Sequence, residues 1–497
     1  ISDITYPFLL RPDEFIPTNL GELIDSLKQS TTTSKVLGAV LKPQKFGEFL
    51  KKALGVDNKL SNLFNSWARA TGKAGGTAVS GAVNFMKFDN DSSATVGAGA
   101  KINQDPTPIS DGGFRNDQQV VSIEATNYSQ MIHVTGFFAF GFDITEPGNP
   151  INPVASEAED GGVGGTVYIS LVNNKTTAVV ESGAFIFSGD SGGFNITAEE
   201  AMFGGTFSQS GAKGGTYGIG GTFAYYQQGS DNLAQLENGA VVKGRSATVY
   251  AGNLQTQVNW AGGVAQSESL GVGISVAINN VSRRTRALIG DEVATPGTAI
   301  RTAKDIEVAD GVQVLANVTG DVWSFTIAGT EVSEDNSDST SEPEAVNPLA
   351  DTDIPSDVFG GASATDQMNA QQNGAQTGIG IAAAASVNEI SDETIARIAD
   401  SGQLNAGFIS VTASNGVAIV AATGGFALAS GESGDTSAAL AGAFSYNKLT
   451  ASTAADMQDT ESTLSGNAAG DDLLDIKAMS TGDIFALSAG GAGAKAS

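Results

Sequence analysis

A short phrase occurs six times along this sequence: a Thr, Ser or Asn, any residue, an Ala, any residue and an apolar residue. Regular self-similarity of this kind is typical of repeat architectures, in which each unit buries its apolar face against its neighbours. We therefore predict that the Ala and the apolar residue stack in the core of equivalent coils, with the Thr, Ser or Asn at the strand entrance. The Ala residues of the six copies are Ala94, Ala178, Ala234, Ala287, Ala396 and Ala455.

A second phrase alternates strictly with the first, so the repeat is compound. In this phrase apolar residues occupy every other position and the run ends on an Ala, at Ala125, Ala198, Ala251, Ala316, Ala413 and Ala478. In the last three copies of the first phrase an Asn precedes the Ala by eight residues, at Asn279, Asn388 and Asn447. This constant offset indicates that register is kept within the unit.

The spacing between copies sets the size of the unit. Successive Ala residues of the first phrase lie 84, 56, 53, 109 and 59 positions apart, and the three short intervals give the basic period. The two long intervals contain the acidic, Pro-containing segments 145–162 and 331–357. Repeat arrays accept insertions at unit junctions because the stacked core is not interrupted there. We interpret both segments as insertions in exposed loops.

Alternation with a period of two predicts strands over residues 73–497. In one run Ile274, Val276 and Ile278 fall on one side and small residues on the other, so we expect one buried face and one small face. Glycine, at 63 of 497 residues, is unusually frequent, which we interpret as a sign of many tight turns. A unit would then hold two or three coils of roughly 20 residues, with strands of about five residues. The predicted fold is an all-β parallel β-helix, with a β-propeller as the alternative.

Residues 1–72 differ from the rest of the chain, because they are rich in Leu, Lys and Pro with helical spacing. Leu20, Leu23 and Leu27, for example, fall on one face of a helix. We predict a small α-helical segment, either an insertion or a cap over the open end or flank of the β stack. The chain starts at Ile and stops inside a Gly-rich run, so we expect a segment of a longer polypeptide. No window of 18 strongly apolar residues occurs, and we expect no transmembrane segment in this chain.

Charge and composition limit the possible chemistry. A formal net charge of −28 argues against nucleic acid as a partner, and the lack of Cys excludes disulfides and thiolate metal sites. The only histidine, His133, is interpreted as a partly buried strand residue, because no catalytic triad can be built around it. Arg283, Arg284 and Arg286 could hold an anion, but a solvated turn and strand exit is the favoured interpretation.

Two further features resemble ligand sites without the spacing that such sites require. Asp89, Asn90 and Asp91 lie together, but they fit neither the EF-hand nor the calcium-binding nonapeptide, so we predict a polar turn. The glycine runs at 161–165 and 218–221 lead into strands rather than helices, which argues against phosphate binding. The sequence therefore nominates no catalytic residue, no cofactor or cofactor-binding residue, and no metal ligand.

The repeat resembles those of very large bacterial exoproteins, the leukotoxin-like filamentous adhesins and the filamentous-haemagglutinin-type proteins. The resemblance covers roughly residues 75–497 and is clearest at Gly271, Ser275, Asn279, Thr285, Ala287 and Ile289. It implies an elongated right-handed parallel β-helix that is exported and then held at or released from the cell surface. The implied role is adhesion or structural assembly without catalysis, and no ligand residue is carried over.

The expected function is that of an extracellular structural or adhesive repeat protein, a rigid surface fibre or a segment of a self-assembling filament. Expected partners are other copies or neighbouring repeats of the same long chain, and a cell-surface glycan or protein receptor. The alternative is a carbohydrate-active enzyme or glycan-binding module, which would need aromatic residues and carboxylates along one face. Trp67, Trp260 and Trp323 lie in different units and in non-equivalent phrases, which argues against that alternative.

Overall fold

The structure is a computed structural model that describes most of the chain from residue 66 onward. Of the predicted helical segment, residues 1–72, positions 1–65 lie outside the described residues, as do most of the two acidic segments. Within its described end, residues 66–68 form a strand rather than a helix. The described ranges are 66–103, 119–136, 156–189, 191–292, 304–332, 346–347, 362–363, 378–431, 437–466 and 473–496.

Strands make up nearly all of these ranges. They are β1 (Ser66–Ala68), β2 (Gly72–Ala74), β3 (Thr77–Val96), β4 (Lys101–Ile102), β5 (Val121–Gly136), β6 (Ser156–Ala158), β7 (Gly161–Val180), β8 (Phe185–Phe187), β9 (Gly193–Gly214), β10 (Tyr217–Leu236), β11 (Val241–Gly244), β12 (Ser246–Ser267), β13 (Leu270–Gly290), β14 (Lys304–Val308), β15 (Gly311–Val332), β16 (Val346–Asn347), β17 (Ala362–Ser363), β18 (Ile379–Ala406), β19 (Phe408–Gly431), β20 (Ala438–Leu464) and β21 (Leu474–Ala496). The segment predicted as the first insertion thus contributes β6 and the start of β7 to the stack.

Two large parallel sheets form the body of the molecule. Sheet A has the order β1-β5-β9-β12-β15-β19-β21, with the short strands β2 and β6 beside it. Sheet B contains the long strands β3-β7-β10-β13-β18-β20 and a column of short strands, β4-β8-β11-β14, that joins it at β18. The chain runs along sheet B, crosses the short side and returns along sheet A, as in β10, β11 and β12. The fold is therefore a parallel β-solenoid, and it excludes the β-propeller, whose blades are antiparallel.

Each unit forms one coil, so the prediction of two or three coils was wrong. The strand starts at Tyr217 and Leu270 pair directly, so one turn of the solenoid takes up one whole unit of the repeat. The long strands have 16 to 28 residues, several times the five that we expected. The reason is that glycines which the sequence suggested as turn formers lie inside the strands. The sequence therefore continues straight through positions at which we expected it to turn.

Both Ala positions of the repeat form continuous columns. The Ala residues of the first phrase pair with one another from Ala94 to Ala455, and those of the second phrase from Ala125 to Ala478. The two columns lie in one core, between the end of sheet B, the short strands and the start of sheet A. This confirms that each copy marks an equivalent coil. The polar residue of the first phrase is not at the strand entrance, because Thr176, for example, is buried near the end of β7.

Small residues line the interior over the first half of the sheet B strands. Ser275 and Ala277 are buried, whereas Ile274 points outward and is 44% exposed. The large side chains of this run therefore face the opposite way from the one that we expected. At the start of the sheet A strands the large residues are inside, as Ile409 and Val411 are fully buried. The difference arises because the two sheets approach closely where the sheet B strands begin.

Glycine makes this close approach possible. A Cβ atom on Gly220 would lie 2.1 Å from the carbonyl oxygen of Val264 in the opposite sheet, and one on Gly164 would lie 2.3 Å from that of Gly211. The neighbouring residue Gly221 faces outward, where a Cβ atom would have no atom within 4 Å. Adjacent glycines thus have opposite roles.

Substitution of these neighbouring glycines provides a matched test of the architecture. We expect Gly220→Ala to lower the free energy of unfolding by about 1–3 kcal/mol or more, because the two backbones must separate. Gly221→Ala should leave the free energy unchanged or raise it by up to about 1 kcal/mol, because the substitution restricts the unfolded chain. Urea unfolding followed by circular dichroism measures both. Equal effects of the two substitutions would contradict the close approach.

Candidate functional site

A row of stacked amides runs through the interior. Asn279 Nδ2 donates to Asn388 Oδ1 at 2.6 Å, and Asn388 Nδ2 donates to Asn447 Oδ1 at 2.7 Å. Asn259 of sheet A donates to Asn279 from the opposite side. An amide has both donors and an acceptor, so it can bond to an identical neighbour in the next coil. The constant Asn offset in the sequence thus corresponds to a hydrogen-bonded ladder.

A buried ion pair joins two coils farther along the same strands. Arg283 donates to both carboxylate oxygens of Asp392, with Nε–Oδ1 and Nη2–Oδ2 distances of 2.8 and 2.7 Å. Both side chains are almost completely buried. Arg283 also donates to the Thr319 carbonyl of sheet A, and Asn415 donates to Asp392. The predicted solvated turn at these arginines is therefore wrong, because the segment is a strand and Arg283 belongs to the interior.

A second carboxylate lies in the same polar interior. Glu200 is buried, Asn174 donates to its Oε1 at 2.7 Å, and the Ser230 hydroxyl donates to its Oε2. Burial raises the pKa of this carboxyl, and the two hydrogen bonds and the charge of Arg283 offset part of that rise. Arg283 therefore lies near two buried acidic groups, Glu200 and Asp392.

The other two arginines of this segment are also bound to protein carboxylates. Arg284 donates to Glu393 at 2.7 Å, and Arg286 donates to Glu292 at 2.6 Å and to Asp231 at 2.5 Å. Each guanidinium thus makes bonds that an anionic ligand would have to displace. The arrangement links coils rather than forming an open anion site.

His133 is a buried strand residue, as predicted, and lies in β5. Asn84 donates to the Ser66 hydroxyl at 2.7 Å, and this hydroxyl lies 2.8 Å from His133 Nδ1. The Tyr168 ring lies on the other side, with a centroid distance of 5.9 Å. Burial lowers the pKa of His133 to about 4, so the imidazole is neutral at pH 7. The Ser66 hydroxyl and the Tyr168 ring, both uncharged, contact the imidazole, so His133 packs as a structural side chain.

The acidic segment around Asp89 lies within β3, so the predicted polar turn is wrong. Lys87 Nζ lies 2.6 Å from an Asp89 oxygen, and Asn173 donates to this carboxylate at 3.3 Å. Asn90 points inward and donates to Asn127. No group of three His, Asp or Glu side chains suited to a metal ion occurs among the described residues.

Aromatic residues form a column on the outer side of sheet A, which the sequence did not suggest. Trp67 pairs with Val134, and the column continues through Phe207, Trp260 and Phe325. Trp67 and Trp260 therefore occupy equivalent positions, contrary to the sequence interpretation. Trp323 lies in the neighbouring column, with its ring centroid 6.4 Å from that of Phe325. Phe207, Trp323 and Phe325 are buried, so these rings do not form an exposed platform.

A large apolar surface covers the outer side of sheet B over the first half of its long strands. It contains Val79, Phe85, Leu440 and Phe444, which are between 58% and 71% exposed. Beyond this surface the same strands carry charged and polar residues. The glycine runs that resembled phosphate loops lie in β7 and β10, where one glycine faces the opposite sheet and the next faces outward.

Comparisons with protein-family models, with curated proteins and with solved structures gave no match. The likeness to filamentous adhesins therefore rests on the repeat phrases alone. Over the described ranges, no helix has the length and apolarity needed to cross a membrane.

Removal of one partner of the buried ion pair should be strongly destabilising. We expect Asp392→Ala to lower the free energy of unfolding by about 3–5 kcal/mol, because Arg283 remains buried without its counter-charge. The control Asp310→Ala, which breaks the exposed pair with Arg245, should cost far less, because solvent screens that pair. Arg283→Met combined with Asp392→Leu should recover most of the loss in chemical denaturation. A loss from Asp392→Ala no larger than that of the control would contradict the assignment.

Replacement of Glu200 should raise the free energy of unfolding at neutral pH, whereas replacement of Asp392 should lower it. Because the pKa of Glu200 is raised in the folded state, its stability contribution is full below the unfolded pKa and is lost as the pH rises through the folded pKa. Glu200→Gln removes the charge; its amide oxygen can still accept from Asn174, and its amide nitrogen can donate to the Ser230 hydroxyl. We therefore expect a more stable protein at pH 7.5 and a smaller gain near pH 4.5. Urea midpoints at the two pH values test this. A less stable variant at pH 7.5 would mean that attraction to Arg283 outweighs burial.

Proposed function

We propose that this chain is a segment of an extracellular structural or adhesive repeat protein, a rigid fibre or self-assembling filament at the cell surface that acts without catalysis. The observation that carries the proposal is the in-register pairing of equivalent positions from β3 to β20, with one register shift, between Ala399 and Gly402 of β18. Stacking of this kind lets a repeat array grow coil by coil around one continuous core. The family resemblance points to the same function and to the same location.

The last coil supports stacking on a further coil. Its inward-facing residues Leu474, Ile476 and Ile484 are between 41% and 48% exposed, whereas Ile409 and Val411, which pair with the first two, are fully buried. An open parallel edge is a template for another strand. A second copy stacked on this edge would cover these residues in the way that each inner coil covers the next.

Electron microscopy of the purified chain tests this proposal. We expect either isolated ribbons, which fit a segment of a longer surface fibre, or long periodic polymers, which fit a filament subunit. If polymers form, the double substitution Ile476→Lys with Ile484→Lys should abolish them. The control Lys477→Glu, on the outer side of the same strand, should not. Specific cleavage of a polysaccharide with catalytic turnover would overturn the proposal.

Glycan binding is a second candidate, because Trp67, Trp260 and Phe325 share one column. Rings on adjacent coils, such as those of Trp260 and Phe325 with centroids 5.9 Å apart, suit the faces of sugars in an extended chain. Burial of Phe325 weighs against it. Binding to a polysaccharide array that Trp260→Ala removes, with the fold retained, would favour this candidate over a purely structural role.

A further inference from the structure

The outer side of sheet B has a composition that suits contact with another protein surface. We define the apolar face as every second residue, beginning with the first, in the ranges 77–85, 161–169, 217–225, 270–278, 379–387 and 438–446, which pair in register. None of these positions carries a charged residue. Soluble proteins rarely leave so continuous an apolar patch exposed unless it binds something.

The dimensions of the apolar face match those of a protein interface. Six strands about 4.8 Å apart and nine residues at about 3.3 Å each give an area of roughly 29 by 30 Å, or about 850 Å². A stable interface of standard size buries about 800 Å² on each partner. The largest patch on an ordinary monomer is about 300–600 Å².

Glycine gives the apolar face a groove. Gly165, Gly221 and Gly442 occupy one column, and a Cβ atom on any of them would have no atom within 4 Å. Columns of larger residues flank this groove, including Ile219 on one side and Phe223 on the other. Ile274, 44% exposed, is the one large side chain within the column. The face therefore carries ridges and a groove of matching direction.

A second copy of this chain is the occupant that these features favour. Ridges and groove belong to one repeated pattern, so a copy turned about a twofold axis can place its ridge in the groove of the other. The next outward positions along the strands include Lys87, Glu389 and Lys448, so the rim carries both signs of charge. The net charge of −28 opposes a second copy as well as an anionic bilayer, so charge does not choose between them. The fixed ridges and groove favour a second copy, because a fluid lipid surface has no ridge that could enter the groove.

We propose that two copies of this chain associate side by side through the apolar face, with sheet B packed on sheet B. Isologous pairing buries the same patch on both copies. Two aligned sheets pack about 10 Å apart with their side chains interdigitated, which the ridges and groove allow. This lateral pairing does not rest on the proposed function, because end-to-end stacking uses the strand edges and leaves the apolar face free.

Sedimentation velocity of the full chain over a range of concentrations tests the proposal. We expect a monomer–dimer equilibrium that two kinds of variant weaken. Gly165→Leu with Gly221→Leu fills the groove without loss of apolarity, and Phe223→Lys with Phe444→Lys places charge on the face. Each double variant should raise the dimer dissociation constant at least about tenfold. Asn173→Lys with Ser282→Lys, on the polar half of the same strands, is the matched control and should leave the constant unchanged.

Circular dichroism and urea midpoints of each variant establish that the fold is retained. A wild-type chain that stays monomeric at all concentrations overturns the proposal, and so does a dimer that the groove-filling variant leaves intact. Association that Ile476→Lys with Ile484→Lys abolishes, but the groove variant does not, overturns lateral pairing while it supports end-to-end stacking. A monomer that floats with neutral phosphatidylcholine vesicles would assign the face to lipid instead.

Discussion

Parallel pairing in register is the constraint on which the rest of this structure depends. The nearest neighbours of each residue are the residues at the same position in the coils before and after it, so every position must tolerate its own repetition. Alanine tolerates repetition because its side chain is small enough to pack against an identical neighbour. Asparagine tolerates it because its amide both donates and accepts hydrogen bonds. Charged positions instead alternate in sign, as Arg283 faces Asp392 and Arg284 faces Glu393.

The pairing of residues between coils can be read from the sequence, because residues at the same distance from a repeated phrase pair with one another. The two Ala columns and the asparagine ladder could be predicted in this way. The Arg283–Asp392 pair was missed, although both residues precede the Ala of their phrase by four positions. The signal for Trp67 and Trp260 was weaker. Trp260 follows Ala251 by nine residues, but no Ala of the second phrase precedes Trp67 to reveal the equivalence.

Other properties of the fold could not be read from the pattern. A glycine can form a turn or admit an opposing backbone, and composition does not distinguish the two, so the strands were predicted too short. Alternation of large and small residues identifies the two sides of a strand, but it does not determine which side points toward the opposite sheet. In sheet B the small face is inside, because Gly220 and Gly164 lie against carbonyl groups of sheet A. The apolar face is the consequence on the outer side.

The size of the coil also bears on how the chain folds. Each long strand pairs with one that is a whole unit of the repeat away, and the separation in sequence is greatest between β13 and β18, where the segment 331–357 intervenes. Contacts this distant in sequence make folding slow, because loop closure precedes any gain from pairing. Closure entropy grows only with the logarithm of loop length, so the longest interval adds only about 0.6 kcal/mol. The first two coils to meet would therefore form the slow nucleus, and each later coil would add quickly to an existing edge.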